Sequence, residues 1–309
     1  MKNALVSAVA GLSLLLSGSA MAQETIKIAY TGPDSLLAFV ALDQNYFADE
    51  GLNVELERVA INNNIVPALV SGSVQIGTIS SPSFLRAVEA DLDLVAFSPA
   101  SLYKSSDTGH FGLVARKDAG LSKPEDLVGK KVGNPGIGGV LDILFHRWMQ
   151  TNNVDQSRVQ SVELAFPNLT DAITSGQLQV SVSTDPFLSR MTADGNAVLF
   201  ADFASEIPQD TAAIVFATTR EWSDSHPGVV QKLQNALGKA AQLVTDTPDA
   251  RLQPVIKYTN LPEAAARSSL GINVGGGPLT AEEMAFWVDA MTEQGTLQNV
   301  TSVDAYLAQ

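Results

Sequence analysis

Few side chains in this sequence have the types and spacing that catalysis requires. The chain contains no cysteine and three histidines, His110, His146 and His226. None of the histidines stands in an H-E-x-x-H arrangement, and no carboxylate cluster has the spacing of metal ligands, so we expect no metal and no cofactor. The lack of cysteine excludes thiolate catalysis, disulfides and iron–sulfur clusters. A G-x-S-x-G nucleophile elbow and a P-loop are also missing, and we therefore expect that the protein is not an enzyme.

The polar loops that follow predicted strands are better candidates for chemistry. Each such loop stands between a strand and a helix, and ligands of open α/β sheets bind beyond the carboxyl ends of the strands. Their hydroxyl, amide and backbone groups predict a binding site for one small molecule. The candidate binding residues are Pro33, Asp34, Ser35, Asn63, Asn64, Thr78, Ser80, Ser81, Asn134, Gly136, Gly138, Gly139, Asp185 and Phe187.

Two features of these loops concern the charge of the ligand. The glycine-rich segment 133–139 reads as a strand, a loop and the start of a helix, where backbone N–H groups bind negative charge. An ordinary tight turn is the alternative interpretation of this segment. Asp34 and Asp185 could instead pair with an amine on the ligand. The nearest basic residues, Arg86 and Arg190, fall within predicted helices, and we interpret them as parts of solvated helix faces.

Hydrophobic periodicity indicates the elements that must position these loops. Residues 25–30 alternate like a strand, and residues 35–48 carry apolar side chains at helical spacing. The alternation continues, and a second series of strands and helices begins after Pro124. It predicts two α/β units, each with a mainly parallel sheet covered by helices. Beyond residue 218 the pattern is mainly helical, and we expect His226 and Pro227 to open a long helix.

Two strand-like segments, about 110–116 and 211–218, join the two units without a Gly/Ser linker. They predict a chain that crosses to a second lobe and returns, with hinge strands that let the lobes close on a ligand. We accordingly assign residues 23–112 to the first part of lobe 1, 113–208 to lobe 2, and 209–309 to the return to lobe 1 and the C-terminal helices.

The N-terminus indicates where the protein resides. Residues 1–22 combine a positive start, an apolar run too short to span a bilayer, and the small-x-small end of a signal peptide. We predict cleavage before Gln23, no lipid anchor, and a periplasmic protein. The formal net charge of −14 becomes −15 without Lys2, which argues against a nucleic-acid partner.

Four motifs are dispersed along the chain, at residues 41–52 (ALDQNYFADEGL), 72–77 (GSVQIG), 121–132 (LSKPEDLVGKKV) and 225–230 (SHPGVV). They resemble the solute-binding proteins of ABC importers for nitrate, sulfonates and taurine, a family that includes pyrimidine-precursor binders. The resemblance implies a type II periplasmic binding fold, and a permease and an ATPase as partners. It also implies ligand contacts from Pro33, Asp34 and Ser35, from Thr78, Ser80 and Ser81, and from Gly136, Gly138 and Gly139.

The resemblance does not name the ligand. Gly138 and Gly139 stand where sulfonate binders often have Ser or Thr, and Thr184 stands where many members have Trp. We expect a monomer that captures a sulfonate or taurine-like solute, or a related nitrogen compound, and delivers it to the permease. An aminopyrimidine or aromatic-acid binder is one alternative, and a ligand sensor for a membrane receptor is another.

Overall fold

The computed structural model describes residues 24–103, 108–204 and 207–308. The signal peptide predicted for residues 1–22 lies outside these ranges. Across the described ranges, the strands form one sheet of six strands and one of five. Among the helices of these residues, none combines the length and the hydrophobicity needed to cross a bilayer.

The strands follow one another along the chain as β1 (Thr25–Tyr30), β2 (Asn53–Arg58), β3 (Ile76–Ser80), β4 (Leu94–Tyr103), β5 (Phe111–Arg116), β6 (Lys131–Asn134), β7 (Gln160–Glu163), β8 (Val180–Thr184), β9 (Ala197–Asp202), β10 (Thr211–Thr219) and β11 (Asn273–Val274). The helices are α1 (Leu36–Asp43), α2 (Tyr46–Asp49), α3 (Ile65–Val70), α4 (Ser81–Glu89), α5 (Val140–Thr151), α6 (Phe166–Thr174), α7 (Phe187–Thr192), α8 (Arg220–Ser225), α9 (Val229–Asp246), α10 (Leu252–Thr259), α11 (Glu263–Ala266) and α12 (Ala281–Glu293).

Both sheets are mixed, so the prediction of mainly parallel sheets is wrong. The first sheet has the order β11-β4-β10-β3-β1-β2, and the second has the order β7-β6-β8-β5-β9. β1 runs parallel to β2 and β3, and β6 runs parallel to β7 and β8, whereas β5 and β10 each pair antiparallel with both of their neighbours. Parallel neighbours require a crossover within one sheet. The chain instead leaves the first sheet along β4 and re-enters it along the adjacent β10, which makes that pair antiparallel.

The two segments expected to join the units are regular strands of the sheets. Segment 110–116 forms β5 in the second sheet, and segment 211–218 forms β10 in the first. The passages between the sheets therefore lie just before these strands, between β4 and β5 and between β9 and β10. We retain the lobe boundaries at residues 112 and 208 as a proposal.

Two helices differ from the periodicity in their bounds. The helix predicted over 35–48 is divided into α1 and α2, because Asn45 adopts a φ of 60°. Asparagine tolerates this left-handed conformation better than most residues, but a helix cannot continue through it. The helix expected to open at His226 and Pro227 begins instead at Val229, after Gly228 with a φ of 80°.

The C-terminal helix α12 connects the halves of the molecule. Trp287 is fully buried, and its indole N–H donates to the carbonyl of Ala212 at the start of β10, at 2.7 Å. On another face, Arg147 of α5 pairs with Glu293 at 3.1 Å, and Gln294 donates to the carbonyl of Ile143 at 3.0 Å. Helix α12 thus packs on the first sheet and on a helix of the second.

Candidate ligand site between the two sheets

A cavity of about 590 Å³ lies where strand-end loops of the two sheets face each other. Its size is within the range of pockets that hold drug-sized ligands. Among the candidates from the sequence, its walls include Pro33, Asp34, Ser35, Asn63, Thr78, Ser80, Gly136, Gly139, Asp185 and Phe187. The structure therefore brings ten distant candidates to one place, while their role in binding stays a prediction.

Four candidates lie outside the cavity wall for local reasons. Asn64 is exposed at the start of α3. The hydroxyl of Ser81 is buried and donates to the carbonyl of Ala212 at 2.5 Å. The amide of Asn134 is also buried and donates to Asp142 at 2.6 Å, and Gly138 faces Arg86 rather than the cavity.

The loop after β1 presents a carboxylate that has no described side-chain partner. Pro33, with its fixed φ, starts the turn that leads into helix α1, which is buried from Leu36 to Ala41, and this turn carries Asp34 to the cavity. Asp34 is half-buried, and its carboxyl group is enclosed by protein. Burial raises the pKa of Asp34 to about 6, against a smaller opposing effect of its own backbone N–H.

Asp185, the other acidic candidate, is already engaged within the protein. One carboxylate oxygen accepts hydrogen bonds from the backbone N–H and the hydroxyl of Ser189, at 2.9 and 2.6 Å. The other lies 2.8 Å from Nδ1 of His110. Of the two carboxylates that the sequence offered for a ligand amine, Asp34 therefore keeps more acceptor capacity than Asp185.

Hydroxyl groups on the side of the first sheet direct their protons into the protein. Thr78 donates to the carbonyl of Ala29 at 3.1 Å, so the 2.8 Å bond between Ser35 and Thr78 must be donated by Ser35. Ser80 donates to Ser83 at 2.7 Å, and Ser83 in turn donates to the Asn63 side chain at 3.1 Å. The oxygens of Ser35 and Ser80 can therefore offer the cavity only acceptor capacity.

The backbone N–H groups of the glycine loop are also engaged within the protein. The N–H of Gly136 donates to Asn134 at 3.1 Å, that of Gly138 to Asp142 at 2.7 Å, and that of Gly139 to the carbonyl of Gly136 at 3.0 Å. Asp142, in the first turn of α5, adds negative charge where a helix attracts anions. These three N–H groups are thus not available to a ligand, and the alternative interpretation as a tight turn fits them.

Aromatic and aliphatic side chains form another part of the wall. The rings of Phe166 and Phe187 stack with their centroids 4.7 Å apart and their planes at 9°. Both rings belong to the cavity wall, as do Ile214 and Leu261. This surface suits an apolar or flat part of a ligand.

Several wall residues were missed in the sequence. Phe166 stands shortly after the end of β7, so the rule that identified the other loops could have found it. Arg190 belongs to the wall although we interpreted it as part of a solvated helix face, and Arg58 lies at the end of β2. Both arginines are exposed. The segment 259–262 follows α10, far along the chain, and no local signal marks it.

Hydrogen bonds join the two lobes beside the cavity. The Asn63 amide, before α3, donates to the carbonyl of Ile137 at 3.1 Å and to Glu163 of β7 at 3.0 Å. Arg86 of α4 donates to the same carbonyl at 3.2 Å. We call Asn63, Arg86, Ile137 and Glu163 the inter-lobe latch. It joins the loops of the first sheet to those of the second, as a closed cleft requires.

Metal binding has no support in this geometry. In the described ranges, no three His, Asp or Glu side chains come together as ligands for a metal ion.

Sequence comparisons extend these observations. A family model described as NMT1/THI5 like matches residues 32–251. The chain is 28% identical over 221 residues to a taurine-binding periplasmic protein of Escherichia coli, covering 70% of this chain and 65% of that protein. It is also 28% identical over 166 residues to a formylaminopyrimidine-binding protein of Halalkalibacterium halodurans, covering 53% and 48%. The matches thus span less than two thirds of either relative's length.

Solved structures share the fold over nearly the whole chain. An alkanesulfonate-binding protein of Xanthomonas axonopodis pv. citri, bound to MOPS, has a TM-score of 0.78 at 18% identity, covering 93% of this chain and 99% of that one. A Candida albicans protein described as having the generic periplasmic binding protein fold has a TM-score of 0.71 at 16% identity, covering 92% and 96%. The predicted fold class, a periplasmic binding protein fold with two α/β lobes, is confirmed.

Proposed function

Since the chain belongs to the NMT1/THI5-like family, we propose that it is the solute-binding component of an ABC importer. It captures one small organic solute by closure of its two lobes and presents the closed form to a permease and its ATPase. We place it in the periplasm as a monomer, and as a binding protein rather than an enzyme. The relatives in the comparisons are named for binding taurine, formylaminopyrimidine and alkanesulfonate.

The observation that supports this proposal most directly is the position of the cavity. Its wall combines loops from both sheets, and the inter-lobe latch joins those loops beside it. A ligand in this position contacts both lobes at once, so it stabilises their closed arrangement relative to the open one. A permease that docks on the closed form can therefore distinguish the ligand-bound protein from the open, ligand-free protein.

A first experiment tests binding. The mature chain, from Gln23 to Gln309, is stripped of co-purified ligand and unfolded by heat in the presence of about 1 mM of taurine, alkanesulfonates, nitrate, aminopyrimidines, aromatic acids, amines or amidines. A ligand with a micromolar Kd adds about 4 kcal/mol at this concentration, which raises Tm by roughly 8–16 °C. A clear shift for one class supports the proposal, and chemical turnover of the bound compound would contradict it.

A second experiment separates transport from sensing. A deletion strain should lose uptake of the ligand that shifts Tm, and the intact gene should restore the uptake. The gene with Asn63→Ala should restore less uptake because the latch loses two hydrogen bonds. The matched control, Asn64→Ala at the exposed neighbouring position, should restore it fully. Normal uptake in the deletion strain would refute the transport role.

A further inference from the structure

One part of the cavity wall, formed by Asp34, Ser35 and Ser80, offers a ligand hydrogen-bond acceptors. From this surface and the aromatic pair beside it, we infer that the ligand is an organic cation, with an ammonium or amidinium group on an aromatic or otherwise apolar body. This inference rests on the proposed solute-binding function and adds the chemical class of the solute.

Asp34 is the principal acceptor in the cavity. Its carboxyl group accepts a hydrogen bond from its own backbone N–H, and no side chain of the described residues forms an ion pair with it. An enclosed carboxylate without a counter-ion is costly, and a ligand cation removes that cost by pairing with it. A sulfonate or nitrate near the same carboxylate would meet electrostatic repulsion instead.

The hydroxyl oxygens of Ser35, Ser80 and Thr184 in the cavity wall can also act as hydrogen-bond acceptors for a ligand. Ser35 donates its proton to Thr78, and Ser80 donates its proton to Ser83. On the opposite lobe, Thr184 donates to the carbonyl of His110 at 3.2 Å. Each oxygen keeps lone pairs that accept hydrogen bonds, so this part of the wall suits a ligand with several N–H groups.

Three N–H groups of the glycine loop are not available to an anion. The N–H groups of Gly136, Gly138 and Gly139 are used inside the loop, and the carboxylate of Asp142 takes the place of an anion at the start of α5. The exposed Arg58 and Arg190 are the cationic groups in the cavity wall. Solvent and salt screen exposed charges much more than they screen an enclosed carboxylate, so Asp34 dominates.

The aromatic pair and the cavity size support an apolar body on the cation. The stacked rings of Phe166 and Phe187 offer a face for a flat ring, and a cation nearby gains from the ring electrons. At about 590 Å³, with the latch formed, the cavity is much larger than nitrate or taurine requires. A small anion would therefore leave most of this surface without contact.

Three benzene derivatives whose substituents differ in charge test the inference. Benzamidine carries a cation, benzamide is its neutral analogue, and benzenesulfonate is an anion. Their Kd values are measured at pH 7.5 by titration calorimetry on the mature chain and on two variants. Asp34→Asn removes the charge in the cavity, and Asp224→Asn removes one at an exposed position of α8 outside it.

We expect benzamidine to bind the unmodified chain at least about tenfold more tightly than either other compound. Asp34→Asn should weaken benzamidine about tenfold or more and leave benzamide within about threefold, while Asp224→Asn should change neither. The inference is overturned if benzenesulfonate binds most tightly, if Asp34→Asn leaves the ratio of benzamidine to benzamide unchanged, or if benzamidine fails to bind at about 10 mM.

The Kd comparison of the three compounds can fail or succeed independently of the uptake experiment that tests the proposed function. Preference for benzamidine that depends on Asp34 would support the ligand class even if the deletion strain kept its uptake. Preference for benzenesulfonate, together with uptake that depends on the gene, would instead support the importer and overturn the ligand class.

Discussion

The guanidinium group of Arg86 occupies the position that a Cβ on Gly138 would fill. Arg86 extends from α4 of the first lobe, and Gly138 lies in the loop before α5 of the second, with a φ of 75°. Glycine is therefore favoured at this position for two reasons, the left-handed backbone and the approach of the arginine. The sequence offered Gly138 as a ligand contact, whereas the structure makes it part of the contact between the lobes.

Substitution of this glycine tests the contact. Gly138→Ala should lower the free energy of unfolding by about 1–2 kcal/mol through backbone strain, and further by displacing Arg86. In an Arg86→Ala background only the strain remains, so Gly138→Ala should cost less there. Urea unfolding of the four proteins in this double-mutant cycle measures the difference. Equal costs in both backgrounds would show that the two residues do not interact.

The inter-lobe latch should control closure. Asn63→Ala removes the hydrogen bonds to Ile137 and Glu163, and should weaken ligand binding by about 1–2 kcal/mol, or roughly 5- to 30-fold. Its neighbour Asn64 is exposed and makes neither bond, so Asn64→Ala serves as the matched control. Calorimetry gives the affinities, and small-angle scattering gives the radius of gyration without ligand, which should be larger for Asn63→Ala. Identical affinities for the two variants would contradict this role.

Burial of Asp34 should make stability depend on pH. Because the pKa of Asp34 is about 6 in the folded chain against an ordinary 3.8, ionisation in the folded state is unfavourable, and stability falls as the pH rises from about 4 through 6. Asp34→Asn removes this cost and should stabilise the ligand-free protein by up to about 3 kcal/mol at pH 7.5. At pH 4 or below the gain should vanish.

Urea unfolding at both pH values measures this gain, with Asp224→Asn as the control at an exposed site. A gain from Asp34→Asn that is the same at pH 4 and pH 7.5 would rule out a burial effect on this carboxyl group.

Arg251 should matter for stability although it lies outside the cavity. It is 5% exposed, and burial lowers its pKa. Its guanidinium group donates to the carbonyls of Ile272 at 2.6 Å, Ser269 at 3.2 Å and Val244 at 3.3 Å. Arg251→Ala removes the guanidinium donor from these carbonyls and opens a cavity, so it should cost about 3 kcal/mol or more.

The exposed Arg267, which pairs with Glu263 one helical turn away, provides the comparison. Arg267→Ala should cost about 0.5 kcal/mol or less. Similar losses for the two variants in urea unfolding would show that the carbonyl contacts of Arg251 contribute little.

The elements themselves were largely determined by local sequence. Period-two alternation located β1 at residues 25–30, as observed, and the helical pattern beyond residue 218 identified the long helix α9. These patterns depend on which side of an element faces the core, and that is encoded over a few residues. The expectation that ligands bind beyond the carboxyl ends of strands likewise identified ten residues of the cavity wall, because parallel strands end at the same edge of a sheet.

Strand direction, the latch and the inference about ligand charge depend on the tertiary structure. Residues in β4 and β10 are more than a hundred positions apart, so their antiparallel pairing left no local pattern. The sequence offered the glycine loop as an anion site and Asp34 or Asp185 as cation sites, and it could not choose among them. Our inference follows from the hydrogen bonds that these groups already make within the protein. Asn134 and Asp142 accept from two N–H groups of the loop. Ser189 and His110 donate to Asp185. A hydrogen-bonding group has limited capacity, and only the folded contacts show how much of it remains for a ligand.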